Sequence, residues 1–178
     1  MNENTNKIIA HIVAIVAATY ITYRLFIYKA VLTFDEKIPT AAGGTNNPGN
    51  IEKPNGRGPF RGEIIEDNGS RFTSFQSMAH GYRAIRKILN TKYSHGLKTL
   101  RSMIESYAPP EDGNNVDAYV SFISNATTVN PDLDWNSYSD GIKEDVVKAI
   151  GTFEQGQDWT AKYASLSNDW VHSGYTMT

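Results

Sequence analysis

The sequence predicts an α+β protein in which a single membrane-spanning helix precedes a small domain of one β-hairpin and about four helices. Three observations lead there. The 21 residues from Ile8 to Tyr28 are almost uniformly apolar. An Asn68-Gly69 pair separates two β-prone runs, the strongest short hairpin signal. Downstream, apolar residues recur at helical spacing in four successive stretches.

The first element is the apolar run. A helix of that length reaches about 30 Å, the thickness of a bilayer core. Its one firm charge, Arg24, lies near one end beside Tyr20, Tyr23 and Tyr28, where a basic side chain can snorkel and tyrosines can sit at the interface. A cleaved signal peptide would be shorter and followed by a small-x-small site. The expectation is therefore a single-pass membrane anchor.

Residues from about Thr40 to Gly62 are rich in Gly and Pro and lack periodicity, so they read as a connector running into a structured loop. The hairpin follows, with Glu63–Ile65 and Arg71–Phe75 as its arms. Ser77 is a plausible N-cap for a helix with Met78, Tyr82, Ile85 and Leu89 on its buried stripe. Leu97, Leu100, Ile104 and Tyr107 make a second helix, stopped by Pro109-Pro110. Asn114 or Asn115 caps a third, bearing Val116, Tyr119, Val120 and Ile123. A fourth carries Ile142, Val146, Ala149, Ile150 and Phe153 and ends near Gly156. The chain thus divides into an anchor (1–33), a linker (34–44), a folded domain (45–156) and a polar tail (157–178).

Composition removes several chemistries. With no cysteine there is no disulfide, thiolate metal site or thiol nucleophile. Four histidines stand at no metal-binding spacing, and HExxH, GxSxG, Walker A and GxGxxG are all missing. Neither a metal nor a cofactor is expected. Seventeen basic against nineteen acidic residues argue against a nucleic-acid partner held by a broad basic surface.

Carboxylates remain as the plentiful catalytic side chains. Glycoside cleavage needs a carboxylic acid kept protonated by a partly apolar site, often with a second carboxylate nearby. Glu63, flanked by Gly62 and Ile64-Ile65 with Phe60 and Phe72 close in sequence, has neighbours that could raise its pKa. Glu111 with Asp112, and Asp35 with Glu36, are the other acidic loop positions. Asn46, Asn47 and Asn50 form a dense turn whose amides suit sugar hydroxyls, although turns use these residues for their own geometry. Tyr107 could stack on a sugar, against a default of core packing.

The strings NNPGNI (Asn46–Ile51), PFRGE (Pro59–Glu63), FTSFQSMAHGYRAIRKILN (Phe72–Asn90), GLKTLRSMIESYAPPED (Gly96–Asp112), VDAYVSFIS (Val116–Ser124) and AIGTFEQG (Ala149–Gly156) occur in this order. Together they resemble a phage and prophage family of virion proteins with a lysozyme-like, peptidoglycan-degrading domain. More distantly, NN-x-GNI, F-x-x-F-x-S and SYAPP are similar to the glucosaminidase branch of the lysozyme superfamily. The resemblance covers about Thr45 to Gly156. It implies a lysozyme-like fold and cleavage of the bacterial peptidoglycan backbone, by a muramidase, lytic transglycosylase or glucosaminidase, without a cofactor. In glucosaminidases the principal Glu closes a helix upstream of the Asn-rich loop, and here only Glu36 lies between the apolar run and Asn46. The resemblance therefore implies Glu63 or Glu111 as the acid, Glu36 in their place, or a loss of catalysis.

The expected function is that of a phage virion enzyme, anchored by a single span in the virion membrane or the host inner membrane, that opens the host wall, with Glu63 and Glu111 catalytic and Asn46, Asn47, Asn50 and Tyr107 binding substrate. Its partners are peptidoglycan, a lipid membrane, and capsid or other virion proteins. The alternative is a non-catalytic virion protein at the capsid–membrane junction that uses the same fold to bind glycan or scaffold.

Overall fold

A computed structural model describes residues 3–33, 37–65 and 69–178. The side chains of residues 3–8 and 25–33 lie outside this description. Asp35, Glu36, Glu66, Asp67 and Asn68, and the side chains of Tyr28 and Lys29, accordingly fall outside it. The described chain is mostly helical, seven α-helices against one pair of two-residue strands, which corrects the expected α+β fold of a hairpin and about four helices. Its elements are α1 (Glu3–Thr33), β1 (Glu63–Ile64), β2 (Ser74–Phe75), α2 (Met78–Ser94), α3 (Leu100–Tyr107), α4 (Val116–Thr127), α5 (Asp140–Gln155), α6 (Gln157–Lys162) and α7 (Ala164–Thr176). Short 3-10 turns at Pro110–Asp112 and Trp135–Ser137 join the neighbouring helices. The two strands are antiparallel, pairing Glu63 with Phe75 and Ile64 with Ser74.

The helix starts follow local chemistry. Ser77 Oγ accepts the His80 amide to cap α2, and Thr99 and Ser102 form a reciprocal capping box on α3. Asn115 caps α4 and Ser139 caps α5. Gly156 ends α5 with φ of 81°, a left-handed turn that a side chain would resist.

The core forms where the apolar stripes of these helices meet. Tyr82, Ile85 and Leu89 of α2 pack with Leu100, Met103 and Ile104 of α3, Tyr119, Val120 and Ile123 of α4, and Val146, Val147 and Ile150 of α5. α7 lies along α2. Residues 157–178, expected as a polar tail, form α6 and α7 instead. Trp170, Val171 and Tyr175 are buried in the common core, and the Trp159 indole donates to the Pro39 carbonyl at 3.0 Å.

The N-terminal transmembrane anchor expected from the sequence needs correction. Among the described residues no helix is long and apolar enough to cross a membrane. α1 has 31 residues, and its described side chains run from Ile9 to Arg24. His11, Thr19, Tyr20, Thr22 and Tyr23 dilute its apolarity, and Thr19 and Thr22 turn their hydroxyls back on the carbonyls of Ile15 and Ala18. Arg24 is drawn to the folded domain, where it meets Asp169 of α7 at 2.9 Å. The same finding corrects the single-pass localisation in a virion or host membrane.

If α7 belongs to the core, Trp170→Ala costs about 3–5 kcal/mol of unfolding free energy in a urea titration. A solvated tail would lose less than about 0.5 kcal/mol.

Candidate functional site

A groove of about 510 Å³ opens between the Asn-rich turn, the hairpin, the ends of α2 and α3, and the end of α5. Gly49, Asn50 and Ile51 form one lip, Phe60 and Phe72 supply aromatic surface, and Tyr107 to Pro109 close the far side. Lys53, Arg57, Arg71 and Lys92 also face it, with Glu52, Asp112 and Glu154 as its acids.

The turn that makes the lip is locked by its own amides. Asn46 Oδ1 accepts from the Ile38 amide and its Nδ2 donates to the Phe75 carbonyl. Asn47 Nδ2 donates to the carbonyls of Ile51 and Thr73, and its Oδ1 accepts from the Ile51 amide, each at 2.9 Å. Asn47 is fully buried and Asn46 nearly so, and neither lines the groove. Their hydrogen-bonding capacity is spent on the fold. Asn46 and Asn50 both take positive φ, 55° and 46°, a region Asn tolerates better than other side chains. At Gly49 a Cβ would lie 2.5 Å from the Tyr107 hydroxyl. That hydroxyl donates to the Gly49 carbonyl at 2.6 Å, so Tyr107 lines the groove while bracing its lip.

Asn50 does reach the groove, and it leads to a carboxyl that sequence reasoning missed. Its Nδ2 donates to Glu154 Oε2 at 2.9 Å and to the Glu154 carbonyl at 3.1 Å. Glu154 Oε1 accepts from the Tyr119 hydroxyl at 2.7 Å. Tyr119 is held in turn by stacking on Phe153, with centroids 3.8 Å apart. Burial pushes the Glu154 carboxyl above its ordinary value, and the two donors oppose this only in part. Next in sequence, Gln155 points inward: Nε2 donates to the Pro48 carbonyl and to Asn50 Oδ1, and Oε1 accepts from the Ala41 amide.

Glu63 has the opposite environment. Its side chain is out of solvent, but Arg57 grips both oxygens at 2.7 and 2.8 Å and the Phe60 amide donates at 2.7 Å. Burial alone would raise its pKa. The bonds from Arg57, Phe60 and Thr73 outweigh that and hold the carboxyl below its ordinary value. Glu63 is not among the residues lining the groove, whereas Arg57 and Phe60 are. Glu111 stands exposed on the 3-10 turn, also outside the groove lining, beside Asp112, which does line it. Of the expected site residues, the structure brings Asn50 and Tyr107 to the groove and leaves Asn46, Asn47, Glu63 and Glu111 out of it. The AIGTFEQG string held the one available signal for Glu154, a carboxylate at the end of an amphipathic helix.

Among the described residues no group of three or more His, Asp or Glu is placed to hold a metal ion.

No known family model matches the chain. A 103-residue stretch, 56% of the chain, is 35% identical to Protein P5 of Pseudoalteromonas phage PM2 and covers 64% of that protein. The chain is therefore related to a phage protein, and the match spans a little under two thirds of that protein's length.

The two carboxyls respond to pH with opposite sign. Glu63, held low, contributes stability above about pH 4.5 that is lost as pH falls through its folded value. Glu154, held high, contributes stability below about pH 4.5 that is lost as pH rises through its folded value. In urea-unfolding profiles against pH, Glu63→Gln flattens the acid limb and Glu154→Gln the limb above it. Asn47→Ala, which strands the Ile51 amide and the Thr73 carbonyl, costs about 3 kcal/mol in the same assay.

Proposed function

We propose that the chain is a phage virion component that binds bacterial cell-wall glycan in this groove and cleaves it, with Glu154 as the general acid. The observation that carries the reading is a shielded carboxyl opening into a long trough. Acid catalysis requires a group that is protonated near the working pH and faces the leaving oxygen, and Glu154 is the groove carboxyl whose burial favours its protonated form. It gives its proton to the departing sugar oxygen as the glycosidic bond breaks, while water or the sugar's own 6-hydroxyl bonds to the anomeric carbon and sheds its proton to solvent. Tyr119 and Asn50 then hold the carboxylate left behind. Phe60, Phe72 and Tyr107 give the groove aromatic walls, with Arg57 4.1 Å over the Phe60 ring and Arg71 4.9 Å over the Phe72 ring, and Asn55 and Asn114 supply polar contacts along the trough. On this reading Glu63 has a positioning role, anchoring Arg57 and the hairpin edge of the groove. The similarity to Protein P5 of the phage supports the virion assignment, and the motif order supports peptidoglycan as the substrate class.

A second reading keeps the groove as a glycan-binding surface in a virion protein without cleavage. It is favoured by the occupancy of both Glu154 oxygens, each already accepting a hydrogen bond.

Full-length chain should release reducing ends or anhydro sugars from purified peptidoglycan. Glu154→Gln should lower that rate by at least 100-fold, with unchanged circular dichroism and retained pull-down on the polymer. Loss should also set in as pH rises through the Glu154 value, because the protonated form is the donor. Binding without release by the parent chain selects the second reading. Full activity in Glu154→Gln removes Glu154 from the chemistry.

A further inference from the structure

Outside the groove, the feature most in need of an explanation is α1. Its described side chains from Ile9 to Arg24 are exposed throughout. Eight of them are large and apolar, between 44% and 64% exposed: Ile9, Ile12, Val13, Ile15, Val16, Tyr20, Ile21 and Tyr23. Monomeric proteins seldom leave so much apolar surface in one place.

The distribution of these residues is ordered. Ile9, Ile12, Val13, Val16, Tyr20 and Tyr23 recur at i, i+3, i+4, i+7, i+11 and i+14. At 3.6 residues per turn they fall within one stripe about 100° wide. In a heptad Ile9, Val16 and Tyr23 take the a position and Ile12 and Thr19 take d. His11, Ala18 and Thr22 lie on the opposite side of the helix. Arg24, at the margin of the stripe, is turned to Asp169 of α7, which ties the end of the described stripe to the folded domain.

We infer that this stripe is a self-association surface, covered by the α1 stripe of a second copy of the chain. The surface is self-complementary in the way a symmetric contact requires, each residue meeting its own kind across the axis. It carries no charge, so two copies close on each other without burying an unpaired ion. The β-branched residues at a and d fill the holes of a partner helix with the same pattern. The area suffices as well. At roughly 100 Å² for each of the six stripe side chains, α1 offers about 600 Å², so two copies bury about 1,200 Å², the lower end of a specific interface. This inference is independent of the chemistry in the groove.

The test is the mass of the full-length chain in detergent-free buffer by sedimentation equilibrium. A multiple of 19.8 kDa is expected. The double variant Ile12→Asp/Val16→Asp should sediment as a monomer and keep the urea midpoint of the folded domain, read from tryptophan fluorescence. Ala18→Asp, on the opposite side, should keep the oligomer. A monomeric parent chain overturns the inference, as does an aspartate pair that stays oligomeric or an Ala18→Asp that dissociates. A chain that floats as a monomer with phosphatidylcholine vesicles also overturns it, since lipid would then cover the stripe.

Discussion

Three buried side-chain amides, on Asn46, Asn47 and Gln155, hold together parts of the chain that have little apolar surface of their own. The turn from Ile38 to Ile51 cannot form a helix or a strand ladder, yet it runs through the interior. Its backbone groups need partners there, because an unpaired buried amide or carbonyl costs on the order of 1–3 kcal/mol. Asn47 satisfies three of them at once, two on Ile51 and one on Thr73 of the hairpin segment. Asn46 ties the same turn to Ile38 and Phe75. Gln155 joins it to the last turn of α5. Without this lattice the hairpin, the turn and the helix end would have no common register, and there would be no groove.

Within that frame, two glutamates of the same intrinsic acidity are driven apart. Glu63 meets a guanidinium fork and a backbone amide, so the charged form wins despite burial. Glu154 meets a phenol and a carboxamide, neutral donors that do not repay the desolvation. What separates them is the set of donors, Arg57, Phe60 and Thr73 on Glu63 against Tyr119 and Asn50 on Glu154. Such a split is how one fold keeps one carboxylate as a structural anion and another as a proton donor.

The parts of the architecture that depend on neighbours in sequence were legible. Ser77, Asn115 and Gly156 were recognisable as helix ends because caps act over three or four residues. The Asn-rich turn was recognisable as special, but its purpose was not. Asn46 and Asn47 looked like sugar-binding amides until their partners, up to 29 residues away, proved to be backbone. Glu154 was hidden for the same reason: Tyr119 is 35 residues off and Asn50 is 104. The apolar pairs around Glu63 suggested desolvation, whereas Arg57, only six residues upstream, decides its state. The polar composition of residues 157–178 concealed a helix that buries only Trp170, Val171 and Tyr175 as its large apolar contribution. Local apolarity also misled at α1, where a long run suggested a membrane span, whereas no helix among the described residues is long and apolar enough for one.

The neighbouring positions of Glu154 and Gln155 explain how a loop-built groove can have a rigid centre. Successive residues on a helix point about 100° apart, so at the last turn of α5 one side chain faces inward and the next faces the groove. Gln155 fastens the helix end to Pro48, Asn50 and Ala41. Asn50, held by Gln155, in turn holds Glu154. The carboxyl is therefore positioned by the same contacts that close the lip of the groove, and it cannot shift without opening them. A groove built this way keeps its buried carboxyl aligned through supporting hydrogen bonds, although the loop around it has almost no regular secondary structure.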